Sequence, residues 1–121
     1  MTDHIRTKIT AFNKYLEATA TGEEEIITRL ENLQVLLAQS GNLLAEAKYI
    51  RDGEVNEAIT GVISDPEYVG MSVSTVNKYI DTKAKDANYL VNQLDRINSA
   101  AGKQIMALQT ILSYRKEQMR L

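Results

Sequence analysis

The chain has 121 residues and a net charge of −2; 44% of the residues are hydrophobic, 25% are charged and only 6% are aromatic. This is the length of a single domain, and the few aromatic residues and the single Pro do not fit a β-sandwich or a barrel. The absence of Cys excludes disulfide scaffolds, thiolate zinc sites and cysteine nucleophiles, and one His, His4, is too few for a His-rich metal site. We therefore expect an all-α protein that is not an enzyme and has no catalytic residues, metal or cofactor.

The charge is divided unevenly along the chain. Residues 1–67 hold twelve acidic and six basic residues, whereas residues 68–121 hold four acidic and eight basic residues. The two halves are expected to attract each other as antiparallel helices. A phosphate-bearing partner for the basic half is the alternative.

The first predicted helix covers residues 3–19. Thr2 or Asp3 can cap its start, and apolar residues at spacings of four, three and four form one stripe. That stripe consists of Ile5, Ile9, Phe12 and Leu16. Residues 19–22 end the helix.

The second predicted helix covers residues 22–63. Thr21 and Glu24 have the spacing of a capping box at its start. Gly41 and Gly53 interrupt it, and each interior Gly costs roughly 0.8–1 kcal/mol relative to Ala. We therefore expect a bend, a close helix crossing or a short break near Gly53.

A loop at residues 64–72, which contains Pro66 and Gly70, separates this helix from a third one over residues 73–119. Ser72 or Ser74 can cap the third helix. Its apolar residues recur every seven positions, which favours coiled-coil-like packing. The longest such series is Val73, Ile80, Ala87, Leu94, Ala101 and Leu108.

These elements predict a single all-α domain over residues 1–121: a long antiparallel helical hairpin with a short N-terminal helix. Folding at the loop places residue i of the second helix opposite roughly residue 136−i of the third. This register predicts two sets of ion pairs between the helices: Asp52 and Glu54 with Lys83 and Lys85, and Arg51 with Asp81 or Asp86.

The apolar stripes are wider than one hairpin can bury. We therefore predict that a homo-oligomer, a dimer or a larger assembly, completes a four-helix or larger bundle. The residues predicted at the oligomer interface are Leu36, Leu43, Ile50, Ile59, Val91, Ile105 and Leu112.

The leading functional hypothesis is a non-enzymatic interaction protein that binds a protein partner through its helical surface. It rests on the absence from the sequence of a nucleophile with its base, of a metal-binding constellation and of a phosphate-binding loop. No apolar run approaches the roughly 18 residues that a membrane span requires, so we expect no membrane association and a cytoplasmic location.

The alternative hypothesis is an oligomeric module that binds a nucleotide or single-stranded nucleic acid. Aromatic faces beside cations can stack bases and pair with phosphates. The predicted register brings a set of such residues together: Tyr49, Arg51, Lys83, Lys85 and Tyr89. Acidic residues in the same neighbourhood compete for these cations.

The segment at residues 104–120, QIMALQTILSYRKEQMR, resembles the closing helix of small uncharacterised helical proteins encoded by bacteriophages and prophages. The resemblance implies an origin in a phage or another mobile element. Small helical oligomers of such origin bind a host protein, a nucleotide signal or each other.

Overall fold

The structure is a computed structural model that describes residues 2–120. Within this range it contains helices and turns but no β-strand. The helical elements are α1 (Asp3–Glu17), α2 (Glu23–Ser64), a 3₁₀ turn (Pro66–Tyr68), α3 (Val73–Lys83) and α4 (Lys85–Arg120). The predicted all-α hairpin is confirmed, since α2 packs chiefly against α4 and the short α1 packs against both.

The start of α2 differs from the prediction. The prediction that Thr21 and Glu24 form a capping box is wrong, because Gly22 is the N-cap residue. Glu25 thus takes the third helical position that Glu24 was expected to take, and its carboxylate accepts a hydrogen bond from the Thr21 N–H at 3.2 Å. At the start of α1, Thr2 is the N-cap residue, but its side chain makes no capping hydrogen bond.

The two interior glycines do not break α2, which is one continuous helix of 42 residues. A Cβ atom at Gly53 would meet nothing within 4 Å, so neither a break nor a close crossing occurs there. A Cβ atom at Gly41 would lie 3.6 Å from the Asn98 side chain. This distance is an ordinary van der Waals contact, so neither glycine marks a close crossing, and packing against α4 outweighs the propensity cost of the glycines.

The loop after α2 is held by short-range hydrogen bonds. The Asp65 carboxylate accepts from the Glu67 N–H at 3.0 Å, and Gly70 takes a φ of 90°, which favours glycine. Ser72 Oγ then accepts from the Thr75 N–H at 3.2 Å, which confirms the predicted cap of the third helix.

The predicted third helix is divided at Ala84. This residue is fully buried and has φ −95° and ψ 6°, outside the helical region, so the regular hydrogen-bond ladder is interrupted between α3 and α4. The Asn88 N–H still donates to the Ala84 carbonyl at 2.9 Å. No local signal predicts the interruption, because Ala has the highest helix propensity.

The hydrophobic core lies where three helices meet. Its buried residues come from α1, α2 and α4 and form one cluster: Ile5, Ile9, Phe12, Leu33, Leu36, Ala47, Leu90, Val91, Leu94, Ile97 and Ala101. His4 near the start of α1 contacts Glu46 of α2, and Leu16 near the end of α1 accepts from Gln104 of α4. The helix α1 therefore runs antiparallel to α2 and parallel to α4.

Three regions follow from the extent of this core. The three-helix section comprises α1, residues 26–47 of α2 and residues 87–104 of α4. The arm comprises residues 48–83, where α2 and α3 pair without a third helix. The tail comprises residues 105–120 of α4, none of which is buried.

The observed register agrees closely with the predicted one. The prediction places Ser40 opposite residue 96, and Ser40 Oγ accepts from the Asn98 amide, two residues further, at 3.1 Å. It places Arg29 opposite residue 107, and Arg29 donates to Gln104, three residues away, at 2.7 Å.

Candidate functional site

The predicted ligand residues do not form one site. Tyr49 lines one cavity on the arm, while Lys83 lines another, and Glu54 and Glu57 belong to both cavities. Arg51 contacts its neighbour Asp52 through Nε at 3.2 Å. An anion would therefore meet two carboxylates in the cavity of Lys83 and three in that of Tyr49, which Asp52 also lines.

The lysines and Tyr89 of the predicted ligand set do not line a common pocket. Lys83 Nζ lies 5.4 Å from the centroid of the Tyr79 ring, which gives the ammonium an intramolecular cation–π contact. Lys85 and Tyr89 are exposed on α4.

The predicted ion pairs between the long helices are absent from residues 2–120. The only acid–base contacts within 4.0 Å in that range are His4 with Glu46, at 2.8 Å, and Arg51 with Asp52. The register is close to the prediction, so the conformations of the side chains explain why these ion pairs do not form. Lys83 lies over the Tyr79 ring, and Arg51 contacts the adjacent Asp52. Exposed pairs gain only about 0–1 kcal/mol, too little to fix long side chains in place.

The seven residues predicted at an oligomer interface fall into three groups. Leu36 and Val91 are buried inside a single chain, and this corrects the expectation that they are left over. Leu43, Ile50 and Ile105 are partly buried against the same core. Ile59 is exposed on the arm and Leu112 is half-buried on the tail, so these two lie where no third helix packs.

Arg29 is a structural centre that the sequence analysis missed. It is 94% buried and has no carboxylate within 4.0 Å among residues 2–120. Its Nη2 donates to the backbone carbonyls of Tyr15 and Leu16 and to the Gln104 side chain, and the guanidinium lies 4.7 Å from the centroid of the Tyr15 ring.

The contacts of Arg29 explain how α1 is held. The last carbonyls of a helix have no partners within it and carry the negative end of the helix dipole. Arg29 supplies both a donor and a positive charge there, and Gln104 Nε2 donates to the Leu16 carbonyl at 3.0 Å. The sequence contains a signal for this arrangement, since Arg29 is a lone base on the otherwise apolar stripe of α2.

The arm contains one buried side-chain oxygen without a hydrogen-bond partner. Glu54 Oε2 is buried and makes no hydrogen bond, although the cavity that Glu54 lines also contains Lys83. Beside it, the rings of Tyr68 and Tyr79 lie 5.3 Å apart. The Tyr79 hydroxyl, followed by partial desolvation, raises the pKa of Tyr68 above its ordinary value, and the carboxylates of Asp65 and Glu67 act in the same direction.

The end of the arm exposes large aliphatic side chains. We call residues 52–77 the tip. Ile63, Val69 and Val73 are 79%, 83% and 76% exposed, and Ile59 and Met71 are also exposed. The tip contains five acidic residues and no basic residue: Asp52, Glu54, Glu57, Asp65 and Glu67. An apolar patch with an acidic rim is typical of a surface that contacts another macromolecule.

Sequence reasoning identified only Ile59 of this patch as a surface residue and placed Val73 in the apolar series of the third helix, whereas Val73 is 76% exposed. A signal was nonetheless present, because apolar residues recur on both sides of Pro66, and Val69 and Met71 among them lie in the stretch that was predicted as a loop.

Metal and membrane sites are not found among the residues that the structure describes. No group of three or more His, Asp or Glu side chains between residues 2 and 120 is arranged to hold a metal ion. Over the same range, no helix combines the length and the apolarity needed to cross a bilayer.

Comparison of the chain with protein-family models, curated proteins and solved structures found no significant match.

Proposed function

We propose that this protein is a non-enzymatic interaction protein that binds a protein partner through its helical surface, at the tip. The observation that carries the proposal is the exposure of Ile63, Val69 and Val73 at one end of the molecule. Burying a large aliphatic side chain contributes roughly 1.5–3 kcal/mol, so covering these three provides a strong drive for association.

The charges of the tip define the chemistry of the partner. The tip contains five acidic residues and no basic residue, and Lys83 of the arm borders the cavity that two of these acids, Glu54 and Glu57, line. A complementary surface is apolar at its centre and basic at its rim, and opposite charges there accelerate encounter and orient the partner.

Self-association belongs to the same proposal. Most of the tip and of the tail lies beyond the ends of α1, which borders the tail only near Ala107 and Leu108. Ile59 and Leu112 of the predicted interface lie in these two regions. We propose a homo-oligomer, a dimer or larger, in the bacterial cytoplasm. The likeness of the tail to closing helices of phage proteins supports a phage or mobile-element origin.

The nucleotide or single-stranded nucleic-acid hypothesis has weaker support. Two of its three cations, Arg51 and Lys83, are engaged by Asp52 and Tyr79, and its cavities are lined by Glu54 and Glu57. Phosphates bind where positive charge is free.

Affinity capture from a bacterial lysate tests the proposed function. The wild-type protein, immobilised at low density, is compared with an Ile63→Lys/Val69→Lys variant and with a Tyr89→Lys control. Tyr89 is 55% exposed but lies outside the tip and the tail, so the control adds a lysine at an apolar surface position without touching the patch.

We expect proteins identified by mass spectrometry to be retained by the wild type and the control, and to be reduced at least about tenfold by the tip variant. Retention that does not depend on the tip, or no retention above background together with a monomeric mass, would contradict the proposal.

A further inference from the structure

The tail is a second apolar surface, and its charge is opposite to that of the tip. It exposes Met106, Ile111, Tyr114 and Met119. It carries three basic residues, Arg115, Lys116 and Arg120, against the single acid Glu117. The tail therefore has an apolar and basic character that matches the apolar and acidic tip.

The acids at the start of α2 are the main charges that oppose this match. Glu23, Glu24 and Glu25 lie near the tail, since Arg115 donates to the Thr21 carbonyl at 3.2 Å. They also lie at the positive end of the α2 dipole, and Glu25 accepts from the Thr21 N–H. Part of their charge is thus already compensated within the chain.

Tip and tail of one chain cannot meet. They lie at opposite ends of α2, which has 42 residues and is about 60 Å long at 1.5 Å per residue. Any contact between the two surfaces must therefore join two copies.

We infer that two copies form an antiparallel, two-fold symmetric dimer in which the tip of each lies on the tail of its partner. This inference rests on the proposed function and names the partner of the tip as a second copy of the same chain. Residues 52–64 of α2 are about 20 Å long and residues 105–120 of α4 are about 24 Å long, so the two surfaces are similar in length.

The dimer completes the packing that a single chain leaves open. Each tip, where α2 and α3 pair, meets the tail of the partner and the first turns of its α2 and forms a four-helix unit there, with a three-helix section on either side of the symmetry axis. The contact occurs twice and closes on itself, whereas a head-to-tail arrangement of the same surfaces would continue into a filament.

Sedimentation velocity over a concentration series measures the assembly. We expect the wild type and Tyr89→Lys to be dimeric at micromolar concentration. The Ile63→Lys/Val69→Lys variant should raise the dimer dissociation constant at least about tenfold, because it places two bases against the basic tail.

A charge exchange tests the pairing of tip with tail. Glu67→Lys and Lys116→Glu should each weaken the dimer, and the double variant Glu67→Lys/Lys116→Glu should restore most of the lost affinity. Both single effects should shrink at high salt, because exposed charges are screened. Losses that simply add in the double variant would overturn the pairing.

Cross-linking determines the orientation, and the absence of native Cys makes it unambiguous. Ser64→Cys lies at the tip and Ser113→Cys at the tail. A mixture of the two variants treated with a flexible bismaleimide should yield a cross-linked dimer, whereas either variant alone should give only background.

Each other outcome has a distinct meaning. Efficient cross-linking of Ser64→Cys alone indicates a parallel dimer, and masses that grow with concentration beyond the dimer indicate a filament; either overturns the inference. A monomer that still captures a lysate protein through its tip also overturns the inference but leaves the proposed function in place.

Discussion

The three-helix section and the arm use the same antiparallel pairing of helices but bury different side chains. The section encloses large residues such as Phe12, Leu33 and Leu94, whereas the arm fully buries only Ala58 among the residues of α2 and none of α3. The arm is not poor in apolar residues; Ile63, Val69 and Val73 are simply exposed. The comparison shows that the number of helices around a stripe, more than its hydrophobicity, decides whether it becomes core.

The three-helix section and the arm also differ in how buried polar groups are hydrogen-bonded. In the three-helix section, Arg29 is satisfied by Tyr15, Leu16 and Gln104. In the arm, Glu54 Oε2 is buried without a partner. A third helix supplies backbone and side-chain partners that two helices cannot supply, so we expect the section to be the more stable unit.

Truncating an isoleucine to alanine in the three-helix section and in the arm should give the largest difference in stability loss. Ile97→Ala removes a fully buried side chain, whereas Ile80→Ala removes a half-buried one from α3. We expect Ile97→Ala to lower the free energy of unfolding by about 3–4 kcal/mol and Ile80→Ala by about 1–2 kcal/mol. Urea denaturation of the two variants measures the difference. Equal losses would show that the arm is packed as well as the section.

Removal of the Arg29 guanidinium should release α1. Arg29→Met keeps much of the side-chain volume but removes the charged donor from the Tyr15 and Leu16 carbonyls, which retain only the Ala18 N–H and the Gln104 amide. We expect a loss of about 1.5–3 kcal/mol in unfolding free energy and faster hydrogen exchange of α1 amides. Arg6→Met, at an exposed position of the same helix, is the control and should change stability by less than about 0.5 kcal/mol. Unchanged hydrogen exchange of the α1 amides in Arg29→Met would show that Arg29 does not hold α1 in place.

Replacing two glycines of the arm by alanine should change the free energy of unfolding in opposite directions. Gly53→Ala should raise the free energy of unfolding by about 0.5–1 kcal/mol, because the position is helical and a Cβ there meets nothing within 4 Å. Gly70→Ala should lower it by about 1–2 kcal/mol, because φ is 90°. Thermal and urea unfolding provide the values. A destabilising Gly53→Ala would mean that the helix is bent there.

The addition of nucleotides should have the smallest effect on the stability of the protein. We expect no thermal shift with mono-, di- or cyclic nucleotides or with short oligonucleotides, because carboxylates line the cavities near Tyr49 and Lys83. A true ligand at a hundredfold its dissociation constant adds about 2.7 kcal/mol of apparent stability. A shift of that size, lost in Arg51→Ala and Tyr89→Ala, would favour the nucleic-acid hypothesis instead.

The sequence by itself determined the secondary structure and the pairing of the long helices. Stripes of apolar residues, the break at Pro66 and the Ser72 cap are local signals, because each acts within one or two turns of the chain. Since the turn fixes where pairing begins, the register could be predicted to within two or three residues, as Ser40 and Asn98 show.

Only the tertiary structure decided which stripe is covered. Leu36 and Val91 belong to the core because α1 packs along this part of the hairpin, where Arg29 and Gln104 hold its final carbonyls. These contacts join residues as much as 88 positions apart, and no periodicity along the chain encodes them. The interruption at Ala84 likewise occurs at a residue with the highest helix propensity, because packing outweighs local preference.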